Sequence, residues 1–542
     1  MEDNADVSVP VLVVGGSLVG LSTSLFLSRH GVRHMVVEKH AGTSDHPRGR
    51  GINARTMELF RIAGAEDAIR RAASLLENNM GILQTESLTG GDHTWLVKAI
   101  DPAGALSRFS PTGWCVCSQN NIEPILAEQS RAQGADVRFS TELMSFDQDA
   151  TGVNALVKDR QTGEHTTVRA DFLIAADGPR SPVREQLRIP QTGNGELFHN
   201  VSVTFRSERL IEALGDLRFI VCYLMKPGAD GALLPVDNRT QWVFHAPWHP
   251  ETGETLEDFT DERCVEQIRR ATGIADLDVE IGGKAPWHAA ERVAERYSSG
   301  RVFLAGDAAH EMSPTGAFGS NTGIQDAHNL AWKIAAVLDG SAGIELLETY
   351  EAERLPVARA TSERASARSA EHSHPGYVPP PTMGGGPGSG VLTTAMAYRY
   401  PQGAFVGGDP GQPVIPEALR LTGDVATRAP HMWLTRAAAR ISTLDLYERS
   451  FVLLSGAGTA WQAAAEEVAR RLSVRLEAYT IGSAGADLVQ EDGADWAEVH
   501  ALSQAGAVLV RPDGFVAWRS QGAVADPRAV LTDVMSQVLR RA

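Results

Sequence analysis

Three short motifs carry residues that could bind a cofactor, and each lies at the end of an apolar run in the sequence. The first is the stretch VLVVGGSLVGLS at residues 11–22, which departs by one letter from the G-x-G-x-x-G pattern of dinucleotide-binding loops. Gly15 and Gly20 occupy the first and third glycine positions, whereas Ser17 occupies the second. Because the second glycine lets the backbone approach a pyrophosphate, the serine decides whether this loop can still bind one.

Serine is small and keeps its backbone N–H, so Ser17 can serve in such a loop if its φ angle is tolerable. Its hydroxyl could also donate to a phosphate oxygen, and the positive end of the helix that begins near Leu18 attracts phosphate. Glu38 ends the next apolar run, 38 − 20 = 18 residues after Gly20. An acidic side chain that binds a ribose hydroxyl is expected at roughly 20 residues. We therefore expect the loop, Glu38 and its neighbour Lys39 to contact a dinucleotide.

Two other interpretations of the first motif do not involve a dinucleotide. A nucleophile elbow would need the pattern G-x-S-x-G. Val19 occupies the position of its second glycine, so Ser17 is not expected to be a hydrolase nucleophile. A plain strand-to-helix turn without a ligand stays open on this motif alone, and the other two motifs must decide.

The other two motifs are DFLIAADGPRSPVR at residues 171–184 and the long stretch GRVFLAGDAAHEMSPTGAFGSNTGIQDAHNLAWKI at residues 300–334. Asp307 follows an apolar run, which places it at the carboxyl end of a strand, where ligands bind in open α/β sheets. A carboxylate there can accept hydrogen bonds from ligand hydroxyls, although an N-cap for the next helix is the alternative role. Gly316 and Gly319 would let the backbone press against a flat ring.

The elements that must position these motifs alternate between strands and helices. The apolar run at residues 10–14 predicts a buried strand, residues 21–30 a helix, and HMVVEK a second strand. This order is the βαβ opening of a doubly wound, Rossmann-like sheet. Apolar spacing further predicts helices over residues 324–338 and from residue 346 to about 372.

The chain has 542 residues, enough for two or three domains at roughly 100–200 residues each. Strand-like segments such as NVSVTFRS and QWVFHAPW indicate an antiparallel sheet in the middle of the chain. The predicted division is a discontinuous dinucleotide-binding domain at 1–184 and 291–372, an inserted substrate domain at 185–290, a linker or irregular segment at 373–427 with a proline- and glycine-rich stretch, and a small α/β domain at 428–542.

Composition excludes several classes of partner. The formal net charge of −17 and pI of about 5.4 disfavour nucleic acid and anionic membranes, which need clustered Lys and Arg. No uninterrupted apolar run approaches the roughly 18 residues of a membrane span. The four cysteines, two of them in the C-x-C pair Cys115 and Cys117, predict reduced thiols, a cytoplasmic protein and no metal site.

Taken in order with Glu38, the three motifs resemble the FAD-dependent aromatic hydroxylases, the single-component flavoprotein monooxygenases. The resemblance implies FAD bound by the first motif. It assigns Arg48 to an FAD phosphate, Gln119 to the flavin side, Leu143 to the adenine pocket, Asp177 to the boundary between FAD and nicotinamide, Asp307 to the ribityl chain, and Gly319, Ser320 and Asn321 to the pyrimidine edge of the flavin, at a helix expected to start near Thr322. Simple packing stays the alternative for Arg48, Gln119 and Leu143, and whether the neighbouring Arg50 points to solvent stays open.

The tail resembles the branch of this family that acts on phenols and aromatic polyketides such as anthracyclines, angucyclines and tetracenomycins. That branch carries a thioredoxin-like domain after the flavin part. No cysteine follows Cys264, so this domain cannot use C-x-x-C redox chemistry. We expect it to have a structural role or to form a homodimer.

The resemblance implies that NADPH, or NADH, binds transiently without a Rossmann domain of its own and reduces FAD. Reduced FAD then takes up O2 to give a C4a-hydroperoxide, which transfers its distal oxygen to an electron-rich ring carbon. The site must stay dry to keep that intermediate. The substrate is expected to be a small aromatic or phenolic molecule of the polyketide type.

The substrate pocket is predicted less firmly than the cofactor site. The resemblance places Pro314 at its border, and the middle sheet is expected to supply a wall through Cys222, Tyr223, Trp242 and Phe244, with core packing as the alternative. No catalytic residue is identified, and Arg368 and His372 at the end of a predicted helix are the candidates for a base. A Baeyer–Villiger or epoxidising oxygenase and a non-catalytic flavin-binding or assembly protein stay open as other functions.

Overall fold

The computed structural model describes residues 5–90, 92–372, 374–377, 390–456, 460–483, 485–491 and 495–541. The chain is a mixed α/β protein built around three large sheets. Most of the glycine-rich stretch predicted as a linker, residues 378–389, lies outside the described residues.

The first part of the chain supplies most of the first sheet. Its strands are β1 (Val7–Val14), β2 (His34–Val37), β3 (Gly51–Ile52), β4 (Ile82–Thr85), β5 (Thr94–Val97), β6 (Cys115–Val116), β7 (Asp136–Arg138), β8 (Thr141–Gln148), β9 (Val153–Asp159) and β10 (His165–Ala175); its helices are α1 (Leu18–Arg29), α2 (Ala54–Ile62), α3 (Glu66–Ala73), α4 (Gln119–Ala132) and α5 (Pro182–Gln186). The predicted βαβ opening is confirmed, because β1 pairs in parallel with both β2 and β10. The apolar half of β1, residues 11–14, is buried because other elements cover both faces of the sheet.

The middle of the chain forms the second sheet. Its elements are β11 (Gln191–Arg206), α6 (Leu210–Leu214), β12 (Val221–Leu224), β13 (Gly231–Pro235), β14 (Gln241–Trp248), α7 (Asp261–Thr272) and β15 (Glu280–Ala294). Most pairings are antiparallel, as predicted. The sheet also takes in β4 and β5 from the first part of the chain, with β4 parallel to β12. The expected substrate domain at residues 185–290 is therefore joined by strands from outside those bounds.

The chain then returns to the first sheet. The elements of this part of the chain are β16 (Ser298–Ser299), β17 (Val302–Leu304), β18 (His310–Glu311), α8 (Phe318–Leu338), α9 (Glu348–Glu371) and α10 (Val391–Met396). Strand β18 pairs with β15 and so belongs to the second sheet. Strand β17 pairs in parallel with β10 and completes the order β16-β17-β10-β1-β2-β7. Both predicted helices are confirmed, but α8 begins at Phe318 rather than near Thr322.

The described part of the predicted linker packs into the protein. Tyr398 and Tyr400 are buried, and Tyr400 stacks on Phe515 with ring centroids 4.3 Å apart. Residues 390–427 are therefore a packed segment rather than a free linker, because their aromatic side chains bury area against the last domain.

The last part of the chain forms the third sheet. Its elements are β19 (Trp433–Arg436), β20 (Ala439–Ser442), β21 (Phe451–Gly456), α11 (Trp461–Leu472), β22 (Leu476–Gly482), β23 (Leu488–Gln490), α12 (Trp496–Val499), β24 (Ala507–Val510), β25 (Val516–Ser520) and α13 (Pro527–Val538). The strand order is β20-β19-β23-β22-β21-β24-β25, with β21 parallel to β22 and antiparallel to β24. The predicted hairpin is confirmed, and its turn has Gly514 at φ 77°.

Buried charges join the third sheet to the first. Glu353 of α9 accepts from Lys333 Nζ at 2.8 Å and from Arg511 Nη1 at 2.7 Å, and Arg511 also pairs with Asp513. These side chains are almost completely buried. In the described part of the chain, no helix has the length and apolarity needed to cross a bilayer.

Candidate functional site

The glycines of the first motif are required by the backbone geometry of the loop between β1 and α1. Gly15 has φ 106°, and a Cβ atom there would lie 2.2 Å from the carbonyl oxygen of Ala176. A Cβ atom on Gly20 would lie 1.8 Å from the Gly15 carbonyl oxygen. Both positions therefore exclude any side chain, which keeps the start of α1 close to the ends of β1 and β10.

Ser17 is different, because its backbone does not need glycine. Its φ of −91° and ψ of −167° are extended values that any residue adopts. Its hydroxyl donates to Glu123 Oε1 at 2.5 Å and accepts from Gln119 Nε2 at 3.1 Å. The hydroxyl is therefore directed to α4, and the expectation that it donates to a phosphate is not supported. Its backbone N–H stays at the start of α1 beside Leu18, where a phosphate would bind.

Glu38 lies at the end of β2 and is held from both sides. Its Oε2 accepts from the Gly16 amide at 2.7 Å, and its Oε1 accepts from the His40 amide at 2.8 Å. These bonds fix the carboxylate beside the loop, at the position predicted for a ribose ligand. Lys39 is exposed, and its carbonyl accepts from Arg160.

Asp307 lies in a single turn, Gly306–Ala308, directly after β17. Its side chain is accessible to solvent, yet protein surrounds it closely and this burial raises the pKa of its carboxyl. The two observations agree if the carboxylate faces an internal cavity that water can enter. The neighbouring charges of His310 and Arg48 act in the opposite direction and lower its pKa. The structure thus brings Arg48 and Asp307, from distant parts of the sequence, to one site.

A buried ion cluster fixes the turn that presents Asp307. Asp326 of α8 binds His310 Nε2 at 2.8 Å and accepts from the Gly306 amide at 3.3 Å. Its other oxygen accepts from Arg354 Nε of α9 at 2.7 Å. His310 therefore has a structural role here, because it links the turn to α8.

Helix α8 begins beside this turn. Gly316 and Ala317 precede it with φ angles of 98° and 54°, so the chain reverses sharply before the helix. The Asn321 side chain accepts from the Asn53 amide at 3.0 Å and donates to the Gly51 carbonyl at 2.9 Å. The Asn321 side chain therefore holds the loop before α2. The backbone N–H groups in the first turn of α8 are the groups that would bind a ligand here.

A cavity lies at this helix start. It is lined by Leu18, Gly49, Arg50, Gly51, Ile52, Phe60, Cys117, Ile122, Ser320, Asn321 and Ile324. Gly319, in the same helical turn, is half-buried, and a Cβ atom there would meet only ordinary contacts. The predicted residues of the first and third motifs therefore converge on one place.

The remaining cofactor predictions lie around this centre. Asp177 follows β10, and its Oδ2 accepts from the Val183 amide at 3.3 Å. Its Oδ1 is buried without a partner among the described residues, and burial raises the pKa of this carboxyl. Gln119 is buried at the start of α4 and donates to Glu123. Leu143 is half-buried and packs against the core of the first sheet.

In the second sheet, three of the four predicted pocket residues face the core of the inserted domain. Successive residues of a strand point to opposite faces. Cys222, Trp242 and Phe244 are each at most 1% exposed and lie in the core of the inserted domain. Tyr223 points to the other face, toward the end of α9, with its ring 5.2 Å from that of His374. The prediction that those three residues form the pocket wall is therefore wrong.

The face that carries Tyr223 is polar, and its other polar residues were not predicted from the sequence. His245 of β14 accepts from Trp287 Nε1 at 3.1 Å. Asn200 and Ser202 of β11 have buried polar atoms without partners among the described residues. The signal in the sequence was the alternation in QWVFHAPW, where His245 falls on the face opposite to Phe244.

The end of α9 meets this polar face. Arg368 Nη2 lies 3.1 Å from His372 Nε2, and burial, with Arg368 adding to it, lowers the pKa of His372 to about 4. A neutral His372 that accepts at Nε2 carries its proton on Nδ1, which is buried and unpartnered among the described residues. This geometry makes His372 a donor rather than a base. Pro314, on the loop before α8, is exposed, and its carbonyl accepts from Ala317.

Family models match almost the whole chain. One described as the FAD binding domain matches residues 8–365, and one described as the C-terminal domain of aromatic-ring hydroxylases matches residues 422–542. A protein from Streptomyces halstedii that is named as a polyketide hydroxylase is 66% identical over 539 residues, covering 97% of each chain. The tetracenomycin A2 monooxygenase-dioxygenase of Streptomyces glaucescens is 41% identical and covers 98% of this chain and 97% of its own.

Solved structures agree with these relatives. The crystal structure of aklavinone-11 hydroxylase in a ternary complex with FAD and aklavinone superposes with a TM-score of 0.89 at 38% identity, over 99% of this chain and 100% of that one. The predicted resemblance is thus confirmed by sequence and by fold. The chain therefore belongs to the FAD-dependent aromatic-ring hydroxylases and is a flavin monooxygenase.

Proposed function

We propose that this monooxygenase uses NADPH or NADH as reductant and O2 as oxygen source to hydroxylate an electron-rich ring of an aromatic polyketide or related phenol. The observation that carries the proposal is the convergence of the first-motif loop, the Asp307 turn and the start of α8 beside the polar face of the second sheet. A cofactor site and a polar surface therefore adjoin. The relative named after tetracenomycin and the structure with aklavinone support a polycyclic aromatic substrate.

The residues at this site fit FAD. Gly15 and Gly20 bring the start of α1 close to the ends of β1 and β10, where no Cβ atom would fit, and the start of α1 offers backbone N–H groups to a pyrophosphate. Glu38 and Asp307 offer carboxylates to the ribose and ribityl hydroxyls, and the buried, unpartnered Oδ1 of Asp177 offers another acceptor. When bound, FAD would supply the electron transfer and oxygen activation that no side chain can supply.

The protein's own part in the reaction is to orient the ring, exclude water and offer hydrogen-bond donors. The imidazole of His372 holds its proton on Nδ1, and the buried Nε of Arg368 is also unpartnered among the described residues. We assign both as donors to an oxygen of the substrate. Tyr223 lies beside them, with its ring 6.4 Å from that of His372, and would border the ring itself.

The finer architecture belongs to the same proposal. The parallel order of the first sheet supports a Rossmann-like domain for FAD. In the third sheet, a βαβ unit is followed by an antiparallel hairpin and a helix, with the order β22-β21-β24-β25. This order supports the thioredoxin-like assignment of residues 428–542.

The test is the visible spectrum of the purified chain with added FAD, followed by anaerobic NADPH with and without emodin, a polycyclic phenol. We expect oxidised-flavin bands that bleach faster when emodin is present. After O2 is admitted, we expect a product one oxygen atom heavier with its rings intact. A ring-expanded ester or an epoxide would favour the Baeyer–Villiger or epoxidising alternative. A chain that takes up no FAD, or whose flavin is reduced equally fast without a phenol, would refute the proposal.

A further inference from the structure

Arg50 carries a charge that the site described above does not use. The residue is 6% exposed, and its Nη1 donates to the Pro235 carbonyl at the end of β13. Its Nε and Nη2 are buried and have no hydrogen-bond partner among the described residues. Because buried polar groups are normally hydrogen-bonded, these two donors indicate a ligand that supplies the acceptor.

No carboxylate compensates this guanidinium within the part of the chain that the structure describes, and burial alone lowers the pKa of Arg50 to about 10. Arg50 therefore stays protonated at neutral pH. A buried cation without a counter-ion destabilises a fold. A purely structural role would be served better by an apolar side chain, so the charge favours an anionic ligand.

The groups that face Arg50 are histidines. His46 lies in the same loop, His245 on β14, and for both burial is the first cause and Arg50 a further cause of a lowered pKa. The pKa of His245 falls to about 3, with His374 contributing. His46 is also in electrostatic contact with Arg48. These imidazoles are neutral at pH 7 and cannot supply the missing negative charge.

The position of Arg50 indicates where an anion would bind. It lines the cavity at the start of α8 together with Ser320 and Asn321. Its hydrogen bond to Pro235 and its electrostatic interaction with His245 join it to the second sheet. Arg50 therefore stands between the cofactor cavity and the polar face that would border the substrate ring.

Resting on the proposed function, we propose that Arg50 binds the phenolate oxygen of the aromatic substrate and so selects rings that carry an acidic phenol next to the flavin. Nε and Nη2 lie in one plane and can hold a single oxyanion between them. On binding, the phenol O–H bond breaks, the proton leaves to water and the electron pair stays on the oxygen. The ring that remains is richer in electrons, which is what oxygen transfer to carbon requires.

The test measures the ionisation of a bound phenol rather than turnover. Emodin is titrated into the FAD-loaded enzyme below the pH at which free emodin ionises, because its phenolate absorbs at longer wavelength than its neutral form. We expect the wild type to show the phenolate band and to release one proton for each emodin bound. Arg50→Lys keeps the charge but not the planar pair of donors, so it should show a weaker phenolate band than the wild type. Arg50→Met should retain FAD, lose the band and bind emodin at least about tenfold more weakly.

Thermal unfolding separates this role from a structural one. Arg50→Met removes an uncompensated buried charge, so its unfolding temperature should equal or exceed that of the wild type. Arg33→Met, at an exposed arginine before β2, is the matched control and should change neither binding nor stability.

Three results would overturn the proposal: a phenolate band that survives in Arg50→Met, a wild type that binds emodin in its neutral form or not at all, and an Arg50→Met enzyme whose main defect is loss of FAD. The third result would assign the anion site to the flavin. If emodin still accelerates flavin reduction while no phenolate band forms, the inference fails and the proposed function stands. If the chain takes up no FAD, the proposed function fails first.

Discussion

Restoring the missing glycine of the first motif, Ser17→Gly, should weaken this protein. Glycine offers no conformational benefit here, because the backbone of Ser17 is already in an extended region open to all residues. The substitution removes a hydroxyl that links α1 to Glu123 and Gln119 of α4. We therefore expect a lower stability of the flavin-bound chain, even though the sequence would match the fingerprint perfectly.

The magnitude follows from two terms. Glu123 keeps two other donors, the Ser44 amide at 3.0 Å and Gln119 Nε2 at 2.7 Å, so the loss is one charged hydrogen bond, worth about 1.5–3 kcal/mol. Greater freedom of the unfolded chain at glycine adds about 0.4–1 kcal/mol. Together these terms give a loss of about 2–4 kcal/mol in the free energy of unfolding.

The assay is thermal unfolding of the FAD-loaded protein, followed by the rise in flavin fluorescence on release, together with the Kd for FAD. Ser17→Ala is the matched control, because it removes the hydrogen bonds without adding backbone freedom, and it should lie between the wild type and Ser17→Gly. A Ser17→Gly protein that melts at a higher temperature and binds FAD more tightly would refute the reasoning, because it would show that the serine is a defect.

Three further predictions concern single contacts. Asp307→Ala should raise the Kd for FAD about 10–100-fold by loss of a charged acceptor, measured by ultrafiltration against the exposed control Asp216→Ala, and an unchanged Kd would remove Asp307 from the cofactor site. Tyr223→Phe should weaken emodin binding, whereas Cys222→Ser should lower the unfolding temperature and leave binding intact, and the reverse pattern would contradict the assignment of sheet faces. Glu353→Gln should cost about 3–5 kcal/mol in calorimetry, because it leaves the buried Lys333 without its counter-ion and Arg511 with Asp513 alone, and a near-neutral effect would mean that the cluster is not needed for docking.

The parts of the fold that were predicted are those with local signals. The fully apolar run before Gly15 marks a buried parallel strand, and the glycine after it marks a turn that only glycine can form. Helix α8 was predicted from its apolar spacing, and Asp307 from its position after an apolar run. Each of these inferences needs only the residues within one element, so the sequence is sufficient.

Which face of the second sheet packs against the core was harder to predict. In β12, the sequence VCYL is apolar at every position, so alternation does not show which face is the core. In β14 the signal existed, because His245 alternates with Trp242 and Phe244. Which face meets the cofactor depends on contacts with α9 and with the loop that carries Arg50, and those contacts join residues far apart in the sequence.

The packed segment at residues 390–427 was predicted as part of a linker or irregular segment, because the chain just before it is rich in glycine and proline. Its own signal is the pair Tyr398 and Tyr400, which bury their rings against Phe515. Composition averages over such a segment and hides two aromatic side chains. Where a glycine-rich stretch ends in closely spaced aromatic residues, packing against a neighbouring domain is the better prediction.

The buried charges of α8 explain how the third sheet affects the cofactor site. Asp326, Asn329 and Lys333 recur at helical spacing on a helix that is buried over most of its length, and a polar stripe of this kind requires partners. Asp326 binds His310 in the turn before the site, whereas Lys333 and Asn329 donate to Glu353. Asn329 also donates to Asp513 in the hairpin turn, at 3.1 Å. The helix whose first turn faces the cavity is therefore held in place near its other end by the last domain. A substitution in that hairpin turn should thus change the affinity of the cofactor site for FAD under conditions in which the flavin domain is still folded.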